Sequence, residues 1–299
     1  MSRAAMRLAA ALLAAAWIGA PAHAAAECDT TCLDRLASAF VDGLASRKQG
    51  ADVPWADRVR YTENGVGMPV GDGIWATVTA HGAAPLVIAD PATGSVVWIG
   101  GIEEHGQPGW LALRLRQSGG RIAEAEAIIR RKEGRPPYAD PTGFTRDPAF
   151  AQPGVRLPRP RLIGLAQAYL DGIAARSGTV PPHPAPDCAR TENGLVMTSG
   201  TSCVGQIKAG LFRDVDRLRG IAFPVVDEAK GLVVAIGMRD YSARQATITT
   251  SDGRSIPADA AYPHSYAFAM VFKIRDGVIA RIEEISTEVP YYMPAWKAR

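Results

Sequence analysis

The chain has 299 residues, 47% of them hydrophobic and 21% charged, with a formal net charge of +3. That composition is globular and excludes a disordered or fibrous chain, and the length admits one large domain or two ordinary ones. A charge so close to neutral offers no strong field for nucleic acid or an anionic membrane surface.

Arg3 and Arg7 precede an apolar run from Leu8 to Ala20, and Ala22-His23-Ala24 then supplies a small-x-small cleavage pattern. The run is shorter than the roughly 20 residues a membrane helix needs. It reads as a leader cut after Ala24, with the rest exported to the periplasm or the medium. In such an oxidising compartment Cys28, Cys32, Cys188 and Cys203 are expected to form two disulfides. Local pairing, Cys28 with Cys32 and Cys188 with Cys203, is favoured, because the second loop is short and Gly/Ser-rich. The first pair needs Cys28 ahead of its helix, since an i, i+4 pair within a helix has poor disulfide geometry. Pairing of Cys28 and Cys32 with the second half of the chain is the alternative. No C-x-x-C pair exists and only four histidines follow the leader, so no metal site is expected.

Past the leader the chain repeats itself. Leu36 to Ala45 recurs as Leu165 to Ala174, and Thr62-Glu63-Asn64-Gly65 as Thr191-Glu192-Asn193-Gly194. The pattern from Asp90 to Val97 recurs from Asp227 to Val234, and that from Gly120 to Glu126 from Gly277 to Glu283. The order is kept and the spacing only grows, so the second copy carries two insertions. The division expected is a leader at 1–24, a first unit at 25–131, a Pro-rich connector at 132–160 and a second unit at 161–299. Each unit opens on a helix, with stripes Leu33, Leu36, Phe40, Leu44 and Leu162, Leu165, Tyr169, Ile173. Strands follow, ending in long hairpins that turn at Gly119-Gly120 and Asp276-Gly277. The second copy adds a helix with the stripe Val204, Ile207, Leu211, Val215 and Leu218. A helix followed by a curved antiparallel sheet is an α+β arrangement.

The closing strands, from Phe272 to Glu283, carry a resemblance to the cone-shaped fold of nuclear transport factor 2 and the SnoaL-like polyketide cyclases. More closely, the chain resembles a family of exported bacterial and fungal proteins built from two such cones. The residues that carry this are Thr62-Glu63-Asn64-Gly65, Gly71-Asp72-Gly73-Ile74-Trp75, Asp187-Cys188-x-Arg190-x-Glu192-Asn193-Gly194 and Pro290-Tyr291-Tyr292-Met293-Pro294. The resemblance covers nearly the whole chain beyond the leader and implies tandem cones, without an agreed activity. Met270 and Val271 stand where the family has an acidic residue before the Phe-Lys pair.

No nucleophile elbow, phosphate loop or H-E-x-x-H helix occurs. Asn-Gly after Glu63 and Glu192 reads as a turn with positive φ, leaving the glutamates at strand edges; a functional role for the two glutamates is the alternative. Glu124 and Glu126 share one strand face, as do Arg281 and Glu283. A carboxylate facing an apolar cone would have a raised pKa, as a general base needs; a solvated edge is the alternative. Residues that differ between the copies are the specificity candidates. Catalytic roles are expected for His264, Glu283 and Tyr291, and substrate binding for Arg190, Asp240, Tyr266, Tyr61 and Trp75. The working cavity is expected in the second copy, where the insertions lie. The function expected is a metal- and cofactor-free enzyme of lyase, isomerase or hydrolase type acting on a small molecule. A non-catalytic ligand-binding or assembly module is the alternative. Neither nucleic acid nor membrane is expected as a partner, and the two cones are expected to pack as an intramolecular pseudo-dimer.

Overall fold

The computed structural model of the protein describes residues 28–133, 137–178, 184–258 and 261–296. The leader at 1–24 and its cleavage after Ala24 lie outside the described residues.

Helix α1 (Thr30–Ala45) starts where the Asp29 side chain accepts a hydrogen bond from the Cys32 N–H, and it buries the stripe Leu33, Leu36, Phe40, Leu44. Next come β1 (Trp55–Glu63), β2 (Val66–Gly67), a short α2 (Ile74–Thr77), β3 (Val78–His81) and β4 (Leu86–Asp90). The long strands β5 (Ser95–Glu104), β6 (Gln107–Ser118) and β7 (Arg121–Arg131) complete a sheet of order β2-β1-β7-β6-β5-β3, with β4 also on β5.

The second half opens on α3 (Arg159–Ala175), followed by β8 (Pro184–Glu192), β9 (Leu195–Val196) and α4 (Cys203–Ala209). Then come β10 (Arg217–Asp227), β11 (Leu232–Tyr241) and a small hairpin, β12 (Thr247–Thr249) with β13 (Ser255–Pro257). Strands β14 (His264–Arg275) and β15 (Val278–Pro290) close the sheet in the order β10-β11-β14-β15-β8-β9. In both six-strand paths one pair is parallel, β1 with β7 and β8 with β15, and the other pairs are antiparallel. The fold is α+β, with two curved, antiparallel-rich sheets and few helices.

Alternation along the long strands decides which face meets what. On β14, Tyr266, Phe268, Met270, Phe272 and Ile274 pack with Leu162, Leu165, Tyr169 and Ile173 of α3. The residues between them, Ala269 and Val271, belong to a different cluster, which also holds Val97, Ile99 and Ile128 of the first sheet and Ile285 of β15. The two sheets therefore meet through the faces turned away from their helices. Asp90 pins this seam: it accepts from Arg159 at 2.7 and 2.6 Å and from the Val226 N–H at 2.9 Å.

The Pro-rich connector lies against the seam. Phe144 packs edge-on against Trp110, Phe150 is buried, and the Trp110 indole donates to the Ala139 carbonyl at 2.8 Å. Both local disulfides are present. Cys28 sits before the first residue of α1, and Cys188–Cys203 ties β8 to the start of α4. Two disulfides suit an oxidising environment. Among the described residues no helix is long and apolar enough to cross a membrane.

Candidate functional site

Arg190 and Glu192 are two apart on β8, so they project to the same side, toward α3 and α4. Arg239 on β11 and Glu284 on β15 complete a buried ionic quartet. Arg190 donates to Glu284 Oε2 at 2.7 Å and also to Glu192. Arg239 lies 3.2 Å from Glu192 Oε1 and 3.1 Å from Glu284 Oε1. The Ser286 hydroxyl adds a 2.6 Å hydrogen bond to Glu192. Burial alone would raise the Glu192 pKa, but Arg190 and Arg239 outweigh it and bring it down to about 2. Burial opposes the charge of both arginines, yet Glu192 and Glu284 raise Arg190, and Tyr241 with Glu284 and Glu192 raises Arg239.

Above the quartet opens a cavity of about 360 Å³, walled by Tyr241, Tyr266, Phe212, Leu211 and Met197. The Arg239 guanidinium stands 5.4 Å from the Tyr266 ring centre and that of Arg190 5.7 Å from Phe212. The donor Nε of Arg239 and the acceptor Oε1 of Gln206, both buried on these walls, have no partner among the described residues.

Of the candidates, Arg190 and Tyr266 line this cavity, and His264, Glu283, Tyr291, Asp240, Tyr61 and Trp75 do not. His264 is only 1% exposed. Its ring stacks on Tyr241 at 5.2 Å and meets Tyr266 edge-on at 5.1 Å, so it backs the cavity wall. Its Nδ1 lies 2.9 Å from the Tyr262 carbonyl, and the residue lines a separate open cleft beside Arg130 and Glu288. Glu283 points away from the cavity, into the seam between the sheets. Strand alternation gives the inward place to Glu284 instead. Burial, with Asp147 and Glu284 adding repulsion, pushes Glu283 up to about 8.

Asp240 lies on the face of β11 turned away from the helices, shared with Ile236 and Met238, and is fully buried, accepting from Arg219 at 2.5 and 2.8 Å and from the Ser265 hydroxyl at 2.6 Å. Arg219 also holds the Met293 carbonyl, so this is an anchor for the C-terminal segment. Tyr291 belongs to that segment and rests against Tyr292, apart from the cavity lining. Tyr61 and Trp75 are core residues of the first half. The Tyr61 hydroxyl donates to Glu63, and Trp75 packs 4.8 Å from Phe40 and 5.7 Å from Trp55.

Arg239 and Glu284 are the members of this cluster that the sequence did not single out. Glu192 was open to a functional reading, ranked behind a turn. Glu283-Glu284 did carry a signal, since two adjacent charges in one strand must face opposite sides. Nothing in the spacing marks Arg239. Among the described residues, no group of three His, Cys, Asp or Glu side chains is arranged to hold a metal ion.

Residues 155–286 match the model of a domain of unknown function (DUF8021). No curated protein matches the chain in sequence. Among solved structures, the chain is similar to AusH from Aspergillus nidulans at 14% identity and a TM-score of 0.30, over 44% of this chain and 86% of that one. BvnE pinacolase from Penicillium brevicompactum is similar at 14% identity and a TM-score of 0.31, over 43% and 84%. PrhC from Penicillium brasilianum is similar at 14% identity and a TM-score of 0.29, over 43% and 82%.

Proposed function

We propose that the cavity of the second half binds a small molecule with an apolar body and an oxygen-bearing end, and acts on it by proton transfer, as a lyase or isomerase does. One observation carries this reading. The cavity keeps an unpaired donor, Arg239 Nε, and an unpaired acceptor, Gln206 Oε1, both buried. A buried polar group left unpaired costs about 1–3 kcal/mol, which a ligand can recover. A carbonyl oxygen lodged at Arg239 gains negative charge as a neighbouring C–H is lost, and a guanidinium held in place by Glu192 and Glu284 is pre-organised to stabilise it. Asp214, which lines the cavity, is the carboxylate placed to take the proton from that C–H, and the Tyr241 and Tyr266 hydroxyls are suited to relay it. Glu192, with a pKa near 2, is a weak base and serves to fix the arginines. That weakness also favours a second reading, binding without catalysis.

Deuterium exchange from solvent into a panel of cyclic 1,3-diketones, followed by NMR, separates the two. Exchange above the blank that disappears in Arg239→Gln supports the enzyme. Saturable binding with no exchange identifies a binding module, and neither binding nor exchange removes the cavity as the working site.

We also propose that the chain is exported and is built of two cones, 25–131 and 161–299, joined by the strap 132–160 and packed as an intramolecular pseudo-dimer. The matching strand orders, the cluster shared by both sheets and the two disulfides support this. Intact mass of the secreted chain, starting at Ala25, tests the export.

A further inference from the structure

A second cavity, of about 280 Å³, lies in the seam between the sheets and is roofed by Trp296. Its walls are apolar, with Ile128 from the first sheet and Ala222, Phe223, Ile236 and Met238 from the second. Its polar end is built from the first sheet. Arg114 and Glu126 are direct cross-strand partners there, only 4% and 5% exposed. Arg114 gives one nitrogen to Glu124 at 2.8 Å, while its Nε and second terminal nitrogen have no partner. Glu126 Oε2 and the Trp296 indole N–H are likewise buried without partners. Donors and an acceptor thus converge on one end of an otherwise greasy slot, as a ligand site requires.

We propose that this seam is a ligand site, separate from the cavity of the second half, that takes a small monocarboxylic acid with an apolar body. The unpartnered donors choose an acid over an amine: Arg114 Nε, its second terminal nitrogen and the Trp296 indole N–H all call for an acceptor. Two guanidinium groups, Arg114 and Arg116 on β6, line the polar end, and the lining from β10, β11 and β14 carries no charge. Glu124 on β7 is shared between the two arginines. With Glu126 protonated, a ligand carboxylate at Arg114 and the Trp296 N–H balances the second guanidinium, and Glu126 donates the remaining hydrogen bond. Burial pushes Glu126 up to about 7 although Arg114 and Arg60 pull it down, so that form is populated near neutrality. The apolar body then runs between Ile236 and Met238.

The test is calorimetric titration of the full secreted chain with decanoate, and with decylammonium for comparison, at pH 6, 7 and 8. Decanoate should bind, and its affinity should fall about tenfold from pH 6 to pH 8 as Glu126 ionises. Glu126→Gln, which keeps a donor, should hold the pH 6 affinity and abolish the pH dependence. Ala222→Leu, at a half-buried wall position, should block the slot. Unchanged binding in Ala222→Leu, an unchanged pH profile in Glu126→Gln, or tighter binding of decylammonium would each overturn the assignment.

Discussion

Tyr61 and Arg190 stand at matching positions, each two residues before the glutamate of a Thr-Glu-Asn-Gly turn, and they send those glutamates in opposite directions. Burial raises Glu63, and its hydrogen bonds from Tyr61 and the Ile74 N–H do not offset that. Glu192 is just as buried, yet Arg190 and Arg239 hold it ionised. The consequence reaches the cavities. A neutral aromatic cluster can close on itself, whereas a quartet of charges needs polar company and leaves room above it.

Removing one member of that quartet strands the rest. Arg190→Gln should cost about 3–5 kcal/mol, because Glu192 and Glu284 stay buried with one arginine between them. The double variant Arg190→Gln/Glu192→Gln should recover part of that loss in urea denaturation. The pH dependence has a defined sign. Glu192 has a depressed folded pKa, so its contribution is complete above about 4.5 and is lost as pH falls toward about 2. Glu192→Gln should flatten the stability curve in that window. An unchanged acid limb would show that the arginines do not hold Glu192 as described.

Glu283 behaves in the reverse way. Its folded pKa is raised to about 8, by burial first and by Asp147 next. It imposes no penalty below about 4.5, and the penalty grows as pH rises through the interval up to about 8. Glu283→Gln should therefore be neutral at pH 4 and stabilising by on the order of 1–3 kcal/mol at pH 8. Thermal melts across this range check it; equal shifts at both ends would contradict the burial argument.

Much of the fold was legible because periodicity reports burial directly. The stripe Leu33, Leu36, Phe40, Leu44 is the buried face of α1, and Asp276-Gly277 turns with positive φ at both residues. The site was less legible, because side-chain facing depends on register. A one-residue choice on β15 exchanges Glu283 for Glu284, and the sequence does not say which side of a doubly covered sheet is the cavity. Asp240, expected to meet substrate, falls on the face opposite the cavity for the same reason. His264 sits in a Pro-His-Ser segment that resembles an exposed turn, but pairing of β14 with β11 and β15 from its first residue buries it. Arg239 escaped notice because nothing local announces that its partners come from two other strands.

The two disulfides should differ in weight. Cys188–Cys203 closes a loop spanning 15 residues and Cys28–Cys32 one spanning 4. Chain entropy assigns these about 3 and about 2 kcal/mol. The first also tethers α4, whose Gln206 lines the cavity, to β8. Cys188→Ser/Cys203→Ser should therefore lose both stability and cavity binding of a ligand found by the exchange screen. Cys28→Ser/Cys32→Ser should lose stability alone. Equal binding by both variants would show that α4 holds its place without the bridge.

Asn193 carries more than its turn. Its φ is 48°, a left-handed conformation that asparagine tolerates better than most residues. Its side chain accepts from the Ser286 N–H at 2.9 Å and donates to the Pro137 carbonyl at 3.0 Å, while its own carbonyl accepts from Ala139. The residue thus joins β8, β15 and the connector. Asn64 has the same φ, but among the described residues its side chain bonds to the Ile129 backbone, within its own sheet. Asn193→Ala should cost about 2–4 kcal/mol, combining an unpaired buried N–H with roughly 1 kcal/mol of backbone strain. Asn193→Gly relieves the strain and should cost about 1 kcal/mol less. Limited proteolysis adds a readout that stability alone does not give. Cleavage within 132–160 should speed up in Asn193→Ala more than in Asn64→Ala at matched stability, because only Asn193 holds the strap. Equal cleavage rates in the two variants would mean that Phe144 and Phe150 secure the connector without it.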